Sequence, residues 1–292
     1  MPTHPETEVN VTESLVKQLI ASQFPDLAHL PVEFLDAGWD NKNYRLGSDY
    51  LVRIPRRKEA TVLLQNEIVW LPKLEKHLPI SVPSPVRVGQ PDLNYPWVWS
   101  IVPWFNGTTA DQESLSDAEA LRLVAFLRVL HEQSPQNAPV NPFRTVPLAH
   151  KSAKVAQRLK EISAKTDLIT DKLLALWQEA VAETPPSETC LIHGDLHPLN
   201  VIVQDRSMAA IVDWGDITAG DAATDLASLW MLFENKAVRQ QALQEYGASE
   251  KLIKRAIGWA IFLGITFLHT GLTADAKYTN VGQRILKTIN EE

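Results

Sequence analysis

The sequence is short of cysteine, of basic charge and of long apolar runs, and each shortage closes off a class of protein. Cys190 is the single cysteine in 292 residues. Neither an internal disulfide nor a multi-cysteine zinc cage can form from one thiol, so a reducing, cytoplasmic setting is expected. Lysine and arginine together number 28 against 35 acidic residues, a net charge of −7. With no basic patch to neutralise phosphates, no nucleic-acid partner is expected. The longest apolar stretch, AIGWAIFLGITFL from Ala256 to Leu268, contains Gly258 and Gly264. It is shorter than a bilayer requires and reads as a buried helix, so no membrane partner is expected either. The opening MPTHPETEVN has no basic region followed by an apolar run, and no signal peptide is expected there.

What is present fits an enzyme of ordinary composition, 45% hydrophobic and 22% charged. A chain of this length makes one large domain or two lobes with a cleft between them. The negative charge is not spread evenly. From Glu188 to Asp225 there are seven acids (Glu188, Asp195, Asp205, Asp213, Asp216, Asp221 and Asp225) against Arg206 alone. Clustered carboxylates repel one another, so this segment is expected to meet a metal ion or a cationic ligand.

The pattern of elements changes partway along the chain. Asn10 to Phe24 carries Leu15, Val16, Leu19 and Ile20 on one stripe, which predicts an amphipathic helix. Val32 to Pro55 alternates in short pieces broken at Gly38 and Gly47, which predicts consecutive antiparallel strands ending in YLVRIP. A helix is predicted from about Glu59 to Lys76, and a strand in the aromatic and β-branched WVWSIVPWF from Trp97 to Phe105. From Ser116 onward the pattern is helical. Ser116 and Glu119 form a capping-box pair ahead of Leu123, Phe126, Leu127 and Leu130. Further helices are predicted near Ala149 to Ser163, near Thr170 to Ala182, and after Asp225. Strands first and helices afterwards make an α+β chain, a small β-rich region followed by a larger, mainly helical one.

Two constellations carry chemistry. Glu67 has Leu63, Leu64, Trp70 and Leu71 around it at helical spacing, in the middle of an apolar face. A carboxylate there needs a cation, and Arg53 on YLVRIP is the nearest upstream candidate. Either the two pair, or the helix is rotated so that Glu67 sits at an edge and Arg53 is solvated. The second constellation is LIHGDLHPLNVIV, Leu191 to Val203. His193, Asp195 and His197 would suit zinc, but Gly194 and Pro198 oppose the continuous helix that puts two histidines on one face. The other reading uses Asp195 and Asn200, five apart as in the catalytic loop of phosphotransferases. A hairpin of Val201 to Val203 and Met208 to Val212 then returns Asp213 beside that loop. Asn and Asp oxygens are hard ligands suited to Mg²⁺.

HGDLHPLN followed by IVDWGD closely resembles the aminoglycoside phosphotransferase family of small-molecule and antibiotic kinases. The likeness runs from GWDNKNYRLG and YLVRIPRR through YPWVWSIVPWFNG to GWAIFLGITFLHTGL. It implies a protein-kinase-like, two-lobe α+β fold, with residues 1–104 as a nucleotide-binding lobe and 105–292 as a helical lobe holding the catalytic loop and substrate site. It further implies Asp195 as catalytic base, Asn200 and Asp213 as Mg²⁺ ligands, and Arg53 on the phosphates of ATP or GTP with Glu67 as its partner. Val102, Pro103, Trp104 and Phe105 would form the hinge that reads the nucleobase, and Leu51, Ile202 and Val212 would sandwich its ring. His193 and Asp225 would be structural, Asp225 bracing the catalytic loop.

The chain departs from the protein kinases in having no GxGxxG loop and in carrying Arg53 where Lys is usual, a stiffer, bidentate donor. The expected acceptor is a hydroxyl of an aminoglycoside-like antibiotic, with Asp216, Asp221 and Glu234 meeting its ammonium groups. A macrolide or another hydroxylated metabolite is the alternative. A catalytically silent, nucleotide-binding kinase relative is the alternative outside enzymes.

Overall fold

Alternation in the first hundred residues becomes one antiparallel sheet in the computed structural model, which describes residues 7–38, 40–133, 136–186 and 188–292. The signal-peptide expectation falls largely on the first six residues, outside the described ones. The chain forms two compact units. The first runs to His77 and includes Ser81–Asn106 and Val212–Gly215; the second holds Leu78–Ile80, Gly107–Ile211 and Asp216–Glu292. The division thus comes after Asn106 rather than after residue 104, because the Trp104 N–H still donates to the Asp49 carbonyl at 2.8 Å and its indole to Asn106 Oδ1 at 3.0 Å. A four-residue return to the first unit was not expected.

In the first unit, α1 (Glu13–Gln23) is capped by Thr12, whose hydroxyl accepts the Leu15 N–H, and it buries Val16, Leu19 and Ile20. Then come β1 (Val32–Ala37), β2 (Asn41–Leu46), β3 (Tyr50–Pro55), α2 (Lys58–Leu74), β4 (Arg87–Gly89) and β5 (Trp99–Pro103). The sheet order is β1-β2-β3-β5-β4, antiparallel throughout. Period-2 alternation puts Val52 and Ile54 of β3 into a core with Leu19, Leu46, Trp99 and Ile101. Arg53 lies between them in sequence and therefore points to the other face. Gly89 is required by the Trp99 ring, since a Cβ there would lie 1.9 Å from it.

The second unit contains β6 (Thr108–Thr109), α3 (Glu119–His131), α4 (Ser152–Ile162), α5 (Asp171–Ala182) and β7 (Cys190–Ile192). It continues with β8 (Val201–Gln204), β9 (Ser207–Ile211), β10 (Thr218–Gly220), α6 (Ala223–Leu226), α7 (Ser228–Leu232), α8 (Lys236–Tyr246), α9 (Glu250–Thr273) and α10 (Thr279–Asn290). Its strands form two small sheets, β6-β8-β9 and β10-β7. The β8–β9 hairpin turns at Asp205 and Arg206, both with positive φ (52° and 61°), the left-handed pair of a two-residue hairpin turn.

The capping box at Ser116 does not form. Helix α3 begins at Glu119, and the Glu119 carboxylate accepts the Met208 N–H of β9 at 2.8 Å and faces Arg122 at 3.2 Å. A tertiary donor outcompetes the local cap. Helix α9 is longer than its apolar run, 24 residues, and by length and composition it could cross a bilayer. Instead it is the core of this unit, with Trp259, Ile261, Phe262 and Leu268 buried. Gly282 of α10 lets the two helices touch, because a Cβ there would lie 2.3 Å from the Leu268 nitrogen.

Candidate active site

In the first unit, Arg53 on β3 is 8% exposed and Glu67 on α2 is 1% exposed. The guanidinium bonds the Glu67 carboxylate and lies 3.3 Å from Asp213 Oδ1. Of the two arrangements open to the sequence, the ion pair forms. Burial opposes the charge on Arg53, yet Glu67 and then Asp213 hold its pKa above the ordinary value. The Glu67 carboxyl is pushed up by burial, against the pull of Arg53.

Asp213 sits in the left-handed region (φ 64°) with its side chain 57% exposed. Backbone strain in a non-glycine residue is tolerated where surrounding contacts over-determine it. Here Asn66 of α2 donates to the Gly215 carbonyl at 3.1 Å, and Gly215 packs so closely on Leu63 that a Cβ would lie 2.8 Å from that side chain. The DWG turn is thereby fastened to α2. The hinge candidates run along β5, where Val102 is opposite Leu51 and Pro103 opposite Tyr50. Pro103 has no N–H and the Trp104 N–H is engaged by Asp49. Val212, like Leu51, is half-buried.

In the second unit, the HGDLHPLN loop is held by hydrogen bonds from both ends. Asp225, fully buried, accepts the His193 N–H at 2.7 Å and the Gly194 N–H at 2.9 Å, and lies 3.2 Å from His131 Nε2. Burial alone would raise its pKa, but His131, His193 and the Gly194 amide bring it below the ordinary value. Gly194 has φ 85°, and a Cβ there would lie 2.7 Å from the Asp216 carbonyl. Only glycine fits that turn. His193 is fully buried and accepts the Asp195 N–H through Nδ1 at 3.2 Å. Pro198 opens a single turn, Pro198–Asn200, and the Asn200 amide nitrogen donates back to the Asp195 carbonyl at 2.9 Å.

That bond settles which end of Asn200 is available. Its nitrogen is tied to the loop, and Oδ1 is left as a hard oxygen donor of the kind Mg²⁺ takes. The zinc reading of the same stretch does not survive. His193 Nδ1 is turned onto a backbone amide, and among the described residues no three His, Cys, Asp or Glu side chains converge on a metal position. Cys190 is no nucleophile either, because burial and then Asp225 and Asp221 push its thiol up to about 12. Ile202 is half-buried on β8.

Sequence reasoning missed Arg144. Its Nη2 lies 2.5 Å from Asp195 Oδ1 and 2.7 Å from Asp216 Oδ2, and its Nε lies 2.9 Å from the latter. Burial would raise the Asp195 pKa, but Arg144 first and His197 second hold it well below the usual carboxylate range. His197 contributes from 3.4 Å, its ring packed edge-on against Phe267 at 5.1 Å. Arg144 lies between predicted helices, 51 residues from its partner, and no spacing rule marks it.

The three carboxylates expected to meet ammonium groups are differently placed. Asp216 accepts from Arg144 and from Asn141 Nδ2 at 2.7 Å. Asp221 is held by Arg255, Nε at 2.6 Å and Nη2 at 3.2 Å. Glu234 is exposed and faces Arg284. Two of the three are thus already held by arginine, Asp216 through an Arg144 that it shares with Asp195.

Known proteins share this architecture. A Bacillus subtilis (strain 168) protein, the uncharacterized YcbJ, is 24% identical over 207 residues, which cover 65% of each chain and so somewhat less than two thirds of that relative's length. The GDP and kanamycin complex of APH(2")-IIia superposes with a TM-score of 0.69 at 21% identity, covering 94% of this chain and 98% of that one. The macrolide 2'-phosphotransferase MphH from Brachybacterium faecium superposes with a TM-score of 0.64, also at 21% identity, covering 94% and 97%. Such likeness establishes a protein-kinase-like fold, and at that identity it speaks for the fold alone. The sequence model of the phosphotransferase enzyme family, APH, matches residues 31–259, a span that contains Arg53, Glu67, Asp195, Asn200 and Asp213. The chain belongs to the APH phosphotransferase enzyme family.

Proposed function

We propose that this protein transfers the γ-phosphoryl group of ATP or GTP to a hydroxyl of a small molecule. The observation that carries the reading is the double fastening of the HGDLHPLN loop. Asp225 grips its start through two amides, and Asn200 grips its middle through the Asp195 carbonyl. Two side-chain ends are presented as a result: the Asp195 carboxylate and Asn200 Oδ1. Catalysis of this type needs positioning and charge stabilisation more than covalent chemistry.

Asn200 and Asp213 are proposed as the oxygen donors for Mg²⁺, which when bound neutralises phosphate charge. Arg53 contributes a second, fixed positive charge to the phosphates, kept in place by Glu67. Asp195 accepts the proton of the acceptor hydroxyl; that oxygen bonds to the γ-phosphorus as the bond to the β–γ bridging oxygen breaks, and ADP or GDP leaves. Hinge contacts from Val102 to Phe105, with Leu51, Ile202 and Val212 against the ring, are proposed for the nucleobase. The three carboxylates expected to meet the ammonium groups of an aminoglycoside support that acceptor only in part: Arg144 and Arg255 already hold Asp216 and Asp221, while Glu234 is exposed.

The test is a transfer assay with Mg·ATP and Mg·GTP against a panel of hydroxylated acceptors. Label should move to an acceptor in step with nucleoside diphosphate release, and chelation of Mg²⁺ should stop it. Absence of any Mg²⁺-nucleotide binding would exclude the enzyme. Tight nucleotide binding with no transfer to any acceptor would instead favour a silent binding protein.

A pH effect follows from Arg144. Because Arg144 lowers the Asp195 pKa, the base stays ionised as pH falls, and the acid limb of kcat/KM should lie below the ordinary carboxylate range. In Arg144→Met, burial is opposed by His197 and His193 alone, so the limb should move to higher pH. A pH–rate profile whose acid limb is the same in both proteins would remove Arg144 from this role.

A further inference from the structure

A group of basic side chains in the second unit has no place in the chemistry above. Lys151, Lys154 and Arg158 stand at the start of α4 and along it, and among the described residues none has a carboxylate within ion-pair distance. Lys151 Nζ donates to the Phe143 carbonyl at 2.7 Å, directly before Arg144, which bonds the Asp195 carboxylate. The cations are held over an aromatic floor on α9. Lys151 Nζ lies 5.4 Å from the Phe262 ring centroid and 5.8 Å from that of Trp259, and the Arg158 guanidinium lies 5.7 Å from Phe262 while donating to Thr266. Floppy surface lysines would spread apart to lower their repulsion; Lys151 and Arg158 are pinned on one ring.

The surroundings offer little to offset the charge. Glu161 is the acid that acts on Arg158, and it is bonded to His269 at 2.7 Å. The other acids of this unit are engaged elsewhere: Asp195 and Asp216 share Arg144, Asp221 faces Arg255, and Glu183 shares Lys254 with Glu179 and Glu250. Next to this group lies a partly open cleft lined by Arg144, Leu148, Glu183, Asp221, Arg255 and Trp259 among others. Burial, and after it mutual repulsion, lowers the pKa of both Lys151 and Lys154. A bound anion relieves that repulsion, whereas an ammonium group adds to it.

We propose that Lys151 and Arg158, set against Trp259 and Phe262 beside Arg144, with Lys154 exposed on the same helix, bind an oxyanion carried by the acceptor, so that the phosphorylated hydroxyl belongs to a carboxylated or phosphorylated small molecule rather than to a polycation. The placement of an acceptor here rests on the phosphotransferase reading; the anion site itself does not.

The experiment separates the two. With the nucleotide site filled by a non-hydrolysable ATP analogue, the Trp259 indole N–H resonance, assigned through Trp259→Phe, is followed during titration with inorganic phosphate, citrate and kanamycin. Phosphate or citrate should shift it saturably, and the arm that binds tighter names the class of oxyanion. The apparent Kd should weaken at least tenfold in Lys151→Gln/Arg158→Gln, whose folding is checked by an unchanged thermal transition. Kanamycin should give no saturable shift. No saturable response to either anion, a response that the double substitution leaves intact, or saturation by kanamycin overturns the proposal. Transfer to kanamycin without anion binding would sink the anion site and keep the phosphotransferase. Anion binding in a protein that turns over no nucleotide would do the reverse.

Discussion

Asp195→Asn is expected to slow phosphoryl transfer by about 10²–10⁴-fold, the usual contribution of a positioned general base. At about 1.4 kcal/mol per tenfold, that is about 3–5 kcal/mol of lost transition-state stabilisation. The substitution is nearly isosteric, and the loop is held by groups other than this carboxylate. Asp225 takes the His193 and Gly194 amides, and Asn200 bonds the backbone carbonyl of residue 195, which the substitution leaves in place. Arg144 keeps both contacts to Asp216. Folding and nucleotide affinity should therefore be close to wild type, with the loss confined to the chemical step. Single-turnover kinetics at saturating Mg·ATP, beside a nucleotide titration, measure the two separately. Transfer within a few-fold of wild type would remove Asp195 from the role of base.

Glu67→Ala should be the most damaging substitution for stability. It leaves the Arg53 guanidinium buried with only the more distant Asp213 carboxylate, at 3.3 Å, to face it. Removing one member of a buried ion pair typically costs about 3–5 kcal/mol, because the other charge stays desolvated and uncompensated. Asp213 survives, so the low end of that range is expected. For a protein of this size that corresponds to a fall in Tm of roughly 6–12 °C. Nucleotide affinity should fall as well, since Arg53 loses the partner that fixes its direction. The informative companion is Arg53→Met/Glu67→Leu, which removes both charges together. It should recover most of the lost stability while leaving phosphate binding impaired. If the double variant melted as low as Glu67→Ala, the cost would lie in packing on α2 and not in the stranded charge.

Several features of the site were legible in the amino-acid sequence. Alternation in YLVRIP told which face Arg53 takes, and the helical spacing around Glu67 placed a carboxylate on an apolar face where it needed a cation. Gly194 and Pro198 correctly opposed a helix through HGDLHPLN. Such inferences hold because they depend on neighbours within a few residues, where backbone geometry alone decides direction. The capping box at Ser116 failed for the complementary reason. Its Glu119 had a competing donor, the Met208 N–H, 89 residues away, and local propensity yields to a buried tertiary hydrogen bond.

The acidic segment shows the same limit more sharply. Counting charges from Glu188 to Asp225 pointed to a metal ion or a cationic ligand, but the chain itself supplies cations for several of these carboxylates. Arg53 meets Asp213, Arg144 meets Asp195 and Asp216, and Arg255 meets Asp221. The sequence by itself determined the residue types of the candidate site, the order of strands and helices, and the glycines the tight turns demand. Which acid is left for a ligand, and which basic groups of α4 are left without an acid, was decided only by the tertiary fold. Ion pairing depends on distances of a few ångströms between residues tens of positions apart, and nothing in their spacing along the chain encodes that distance.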